Sequence, residues 1–150
     1  MSAYKRRKAD IMLMNKERTK CILQRINTKI FKNPEELMEN IENGNLKWND
    51  IVVVSKNAAS MGGSQIFLEV NEMMTVEDLV KGICIASGND AFVAMAEKIA
   101  GTESAFVKLM NDKVKSLGLK NTKFVNSTGL DAKGHYSSSY DMAMMAQELV

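Results

Sequence analysis

Residues 75–100 read TVEDLVKGICIASGNDAFVAMAEKIA, two apolar helical stripes separated by Ser87-Gly88-Asn89. Thr75 has the side-chain oxygen that an N-cap needs, and Asp78 stands where a capping-box acid belongs. Val76, Leu79, Val80 and Ile83 recur at helical spacing, and Phe92, Met95, Ala96 and Ile99 do so after the break. Gly101 stops the second helix and Thr102 caps a third, whose stripe is Phe106, Leu109, Met110, Val114 and Leu117, closed by Gly118. Asn121–Asp131 is loop-like, with turn residues at Asn126, Ser127 and Gly129. Ser139 caps a last helix through Met142, Met145 and Leu149. That helix reaches Val150 with neither a C-cap glycine nor a closing basic residue, which gives the expectation of a chain cut short.

Upstream the pattern is more broken. Gln65–Val70 reads as a short strand, Met61-Gly62-Gly63 as a flexible loop, and Asp50 with Ile51–Val54 as another strand. Asn33, Pro34 and Glu36 start a helix carrying Leu37, Met38 and Ile41, which Asn43 and Gly44 end. Ile11–Met14 and Cys21–Gln24 are short apolar runs that could pair as a hairpin within residues 9–31.

The chain has 150 residues, 45% hydrophobic and 25% charged, which is enough for one domain with a core. A net charge of +2 supplies no field for nucleic acid, and Lys5-Arg6-Arg7-Lys8 reads as a solvated end. A single histidine, His135, rules out a His-rich metal site, and Cys21 and Cys84 form no CxxC pair. No metal and no cofactor is expected. No apolar run is long enough to span a membrane. The basic start is followed by Ala9–Leu13, interrupted by Asp10, so no signal peptide is read and the chain made as written is expected in the cytoplasm. The twelve methionines are scattered over helical faces and read as core filler.

Alone, Ser87-Gly88-Asn89 is no more than a helix stop followed by an N-cap. Its surroundings say more. Ala58–Gln65, Phe67-Leu68-Glu69, Thr75–Leu79, Ile85–Ala91, Met110-Asn111, Leu117–Thr122, Phe124-Val125-Asn126, Gly129-Leu130-Asp131 and Gly134–Ser137 follow one another in order. From about Glu39 to Val150 this run resembles the penicillin-binding D-alanyl-D-alanine carboxypeptidases. The resemblance implies an α+β, β-lactamase/transpeptidase-like fold, here mainly the helical lobe with a remnant antiparallel sheet of two to four strands. Residues 1–150 would be a partial catalytic domain, family-like over 33–150.

In that family a Ser-x-x-Lys turn supplies nucleophile and base, Ser-x-Asn faces it, and Lys-Thr-Gly binds the substrate carboxylate. The division has a chemical reason: a serine hydroxyl is a weak nucleophile until a neighbour takes its proton. Carried over, the resemblance makes Ser87 the serine that relays a proton to the leaving D-alanine amine and Asn89 the binder of the substrate amide. The implied partners are a peptidoglycan stem peptide ending in D-Ala-D-Ala and the β-lactams that mimic it. The family works in the cell envelope.

Two of the three motifs are missing from these residues. The only Ser-x-x-Lys spacing is Ser2 to Lys5, and no Lys-Thr-Gly occurs. Aligning Thr28-Lys29-Ile30 with the motif puts Ile26 where the serine belongs. Taking Asn27–Phe31 as the segment just before it leaves the motif deleted, with Lys32-Asn33-Pro34 bridging the gap. The second alignment also accounts for Met12-Leu13-Met14 and Lys20–Leu23. Ser60, Ser64 and Ser127 have no base at motif spacing, and His135 reads as structural. This chain is therefore expected to have little or no turnover. The alternative is a non-catalytic module that binds peptidoglycan peptides.

Overall fold

A computed structural model describes residues 46–147. The expected hairpin of 9–31, the helix after Asn33, the basic cluster, Cys21 and Leu149 lie outside the described residues. The elements are β1 (Ile51–Val53), α1 (Lys56–Ala59), β2 (Met73–Thr75), α2 (Val76–Ala86), α3 (Asn89–Ala100), α4 (Glu103–Ser116) and α5 (Ser139–Gln147).

α3 is the centre of the described residues. Asn89 to Ala96 are all buried, which a helix can tolerate only when neighbours cover every face. α2, α4, α1 and β1 do so. Ala91, Ala94 and Ala96, each at most 1% exposed, let these neighbours approach closely. Phe92 meets Phe106 of α4 edge to face, with centroids 6.0 Å apart. That geometry is worth about 1 kcal/mol beyond simple burial. Leu79 and Ile83 of α2 and Met110 and Val114 of α4 complete the core, as their helical spacing predicts. Leu109 stays at the surface.

β1 and β2 are antiparallel, in the register Ile51↔Thr75, Val52↔Met74, Val53↔Met73. Val52 faces the core, while Ile51 and Val53 point outward. Val54 N–H donates to Glu72 O, and Val76 N–H to Asp50 O, extending the pairing at both ends. An isolated antiparallel bridge joins Lys123 and Tyr136. The fold is thus helices on a small antiparallel sheet, as the family resemblance implies.

Two local expectations fail. Gln65–Val70 is not a strand, and the second strand lies later, at Met73–Thr75. Phe67 has φ 60°, which breaks an extended run, and the N–H groups of Ile66 and Leu68 are taken by a side chain of α3 rather than by a neighbouring strand. The last helix is capped by Ser138, whose Oγ accepts from Asp141 N–H at 3.1 Å, not by Ser139.

Candidate functional site

The break between α2 and α3 is built by two opposite caps. Ser87 ends α2 in the left-handed region, with φ 53° and ψ 37°, and its N–H donates to Ile83 O. Gly88 then enters α3 as its extended N-cap. The turn leaves Ser87 exposed and sends Asn89 into the protein, where it is 6% exposed.

Asn89 is held through both its backbone and its side chain by the preceding loop. Its backbone N–H donates to Ser64 O at 2.8 Å, and its Nδ2 donates to Gly62 O at 2.8 Å. That leaves the amide one further N–H and its carbonyl oxygen. Gly63 makes the approach possible: its φ is +79°, and a Cβ there would stand 2.7 Å from Asn89 Nδ2 and 3.6 Å from Leu130 Cδ2. The loop around Leu130 therefore lies against the same turn. It is closed by Asn126, whose side chain donates to Leu130 O and accepts from Gly129 N–H.

A residue that sequence reasoning passed over lies beside Asn89. Asp90 is 1% exposed, and its carboxylate accepts from Ile66 N–H and Leu68 N–H. The legible signal was an acid in the first turn of a helix, where the helix dipole favours negative charge. Nothing local in the sequence showed that the charge reaches back to residues 66–68.

Of the other candidate serines, Ser64 is exposed and bonds through its backbone carbonyl, while Ser60 and Ser127 have side-chain partners. Ser60 Oγ donates to Asn57 O. Ser127 is 1% exposed and its Oγ donates to Glu103 Oε1 at 2.8 Å. Glu103 also receives Asn57 Nδ2, tying α1 to the start of α4. His135 accepts from Val125 N–H through Nδ1 at 3.4 Å and packs on Phe124 with ring centroids 5.6 Å apart. Cys84 is half-buried, and burial pushes its thiol up to about 12. Among the described residues no three His, Cys, Asp or Glu side chains converge on a metal position, and no helix is long and apolar enough to cross a membrane.

A helical cluster on a two-stranded antiparallel sheet is the α+β arrangement of the penicillin-binding, transpeptidase-like fold. The structure of D-alanyl-D-alanine carboxypeptidase DacD from Francisella tularensis superimposes with a TM-score of 0.69 at 38% identity, covering 87% of this chain and 29% of that one. The family model described as D-alanyl-D-alanine carboxypeptidase matches residues 28–150, and the chain belongs to that family. Among curated relatives, D-alanyl-D-alanine carboxypeptidase DacF of Bacillus subtilis is 63% identical over 114 residues, 76% of this chain and 29% of the relative. DacA of Escherichia coli is 45% identical over 113 residues, 71% of this chain and 28% of the relative. The chain thus spans about three-tenths of the length of the curated relatives it matches.

Proposed function

We propose that this chain supplies the Ser-x-Asn side of a serine-type D-Ala-D-Ala carboxypeptidase site, and that it holds a peptidoglycan stem peptide there without cleaving it. The observation that carries the reading is the Asn89 amide, buried and fixed on Gly62 O, with a second N–H and a carbonyl oxygen left to pair with a peptide. A preorganised amide of this kind loses little entropy when a peptide backbone docks. Ser87 supports the reading because it stands exposed two residues before. In the intact reaction its hydroxyl would pass a proton to the departing D-alanine amine, and β-lactams would occupy the same place as the substrate. Residues 1–150 are in this reading part of the catalytic domain, acting on cell-envelope material.

Acyl transfer needs a serine with a base beside it, and the only Ser-x-x-Lys spacing here is Ser2 to Lys5. Losing one hydrogen-bond donor from such a site costs about 10²–10³-fold, whereas losing the nucleophile removes the covalent route altogether. The expected result is binding of a D-Ala-D-Ala peptide, weakened by Asn89→Ala, with no covalent labelling by a fluorescent penicillin. Labelling, or a burst of released D-alanine, overturns the non-catalytic half of the proposal. Absence of binding, or equal binding by Asn89→Ala, overturns the site.

A further inference from the structure

The loop before β2 is tied to the start of α3 at four residues, two of them through one buried carboxylate. Ile66 N–H lies 3.1 Å from both Asp90 oxygens, and Leu68 N–H lies 3.0 Å from Oδ2. Ala91 N–H completes the set, 2.8 Å from Oδ1. A carboxylate buried this deeply is costly unless hydrogen bonds replace its water, and these backbone donors, two from the loop and one from the first turn of α3, do so.

The clamp has consequences on both sides. Between the two captured N–H groups sits Phe67, forced to φ 60° and left 81% exposed. A bulky residue in the left-handed region is strained and persists only where its surroundings over-determine it. On the other side the same loop presents Gly62 O to Asn89 Nδ2 and Ser64 O to Asn89 N–H. These two ties are made by the asparagine itself. Gly88 shares in the arrangement, because a Cβ there would stand 2.9 Å from Asp90 Oδ1 and 3.3 Å from Ile66 Cγ2.

We infer that Asp90 is a positioning residue for Asn89: by fixing residues 66–68 against α3 it holds the Gly62 carbonyl that orients the Asn89 amide. Ser87-Gly88-Asn89-Asp90 then works as one unit, with an exposed serine, a glycine that makes room, an amide presented to ligand and an acid that keeps the amide in place. The effect on peptide binding rests on the proposed function. The effect on the Asn89 side chain does not.

The experiment follows the Asn89 side-chain amide protons by NMR in the full chain, assigned by comparison with Asn89→Ala. Two variants disturb the clamp differently. Asp90→Asn keeps the shape but replaces one acceptor oxygen with a donor. Gly88→Ala keeps the carboxylate but crowds it. The expected result is that exchange of the Asn89 side-chain protons with solvent rises at least tenfold in Asp90→Asn and by less in Gly88→Ala, while backbone amides around Met110 in α4 keep their protection. If Asp90→Asn does not fold, Gly88→Ala decides. Unchanged Asn89 exchange in the folded variants overturns the inference, and so does a rise shared equally by α4, which marks global loosening rather than positioning. Titrating an N-acylated peptide ending in D-Ala-D-Ala then adds the functional consequence: both variants should bind it more weakly than the parent. A parent that binds no peptide sinks the proposed function and leaves the exchange result standing for or against the positioning role.

Discussion

Adding a single methyl group at Gly63 tests how the site is packed. Gly63 has φ +79°, and the new Cβ would sit 2.7 Å from Asn89 Nδ2, well inside contact distance. Two costs follow. A Cβ in a left-handed conformation costs about 1–2 kcal/mol. Displacing Asn89 from Gly62 O strands a largely buried amide, for about 1–3 kcal/mol more. Gly101 separates the two, since it has φ +81° with nothing within 4 Å of its Cβ position. Gly101→Ala should show the backbone cost alone, and Gly63→Ala about 1–3 kcal/mol beyond it. For a chain of this size each kcal/mol lowers Tm by roughly 2–4 °C. Melting curves followed by circular dichroism should therefore place Gly63→Ala some 2–12 °C below Gly101→Ala. Equal melting temperatures would refute the claim that the glycine exists to admit the asparagine.

Other outcomes follow from single contacts. Thr75 Oγ1 accepts from Asp78 N–H at 3.1 Å, so Thr75→Ala should cost about 1 kcal/mol in urea unfolding with an unchanged m-value. Asp141 is 1% exposed and accepts from Asn121 N–H and Thr122 Oγ1, both at 2.8 Å. Asp141→Ala should therefore destabilise by about 3 kcal/mol and loosen residues 121–122 in hydrogen exchange. The Cys84 thiol is pushed up to about 12 by burial, so in a Cys21→Ser chain it should resist alkylation at pH 8 and react freely in urea. Because the folded pKa is the higher one, the stability linked to this thiol is complete below the unfolded pKa near 8.5 and is lost as pH rises toward 12. Urea titrations at pH 8 and pH 10.5 should show the decline.

The helical half of the fold was readable because its signals are local. Thr75 and Thr102 accept from N–H groups three residues on, and Gly101 and Gly118 take the positive φ that ends a helix. The apolar stripes of α2 and α4 needed only their spacing. Residues 65–70 were misread because their partner is distant: Ile66 and Leu68 alternate like strand residues, yet their N–H groups bond to a carboxylate 22 to 24 positions later. A three-serine run at 137–139 offers equivalent caps; Ser138 makes the cap while Ser137 Oγ pairs with Thr122 Oγ1. Ser87 and Asn89 could be picked out through the family resemblance, but periodicity alone gave only a helix boundary. Asp90 stayed hidden because an acid in a first turn already has a sufficient local reason to be there.

The experiment that bears hardest on the account is a titration of the isotopically labelled chain with two peptides, one ending in D-Ala-D-Ala and one in L-Ala-L-Ala, followed at the resonances of Ser87, Asn89 and Gly62. Saturable shifts are expected at all three with the D,D peptide, with little change for the L,L peptide and loss of the response in Asn89→Ala. Identical responses to both peptides, or an undiminished response in Asn89→Ala, would contradict it.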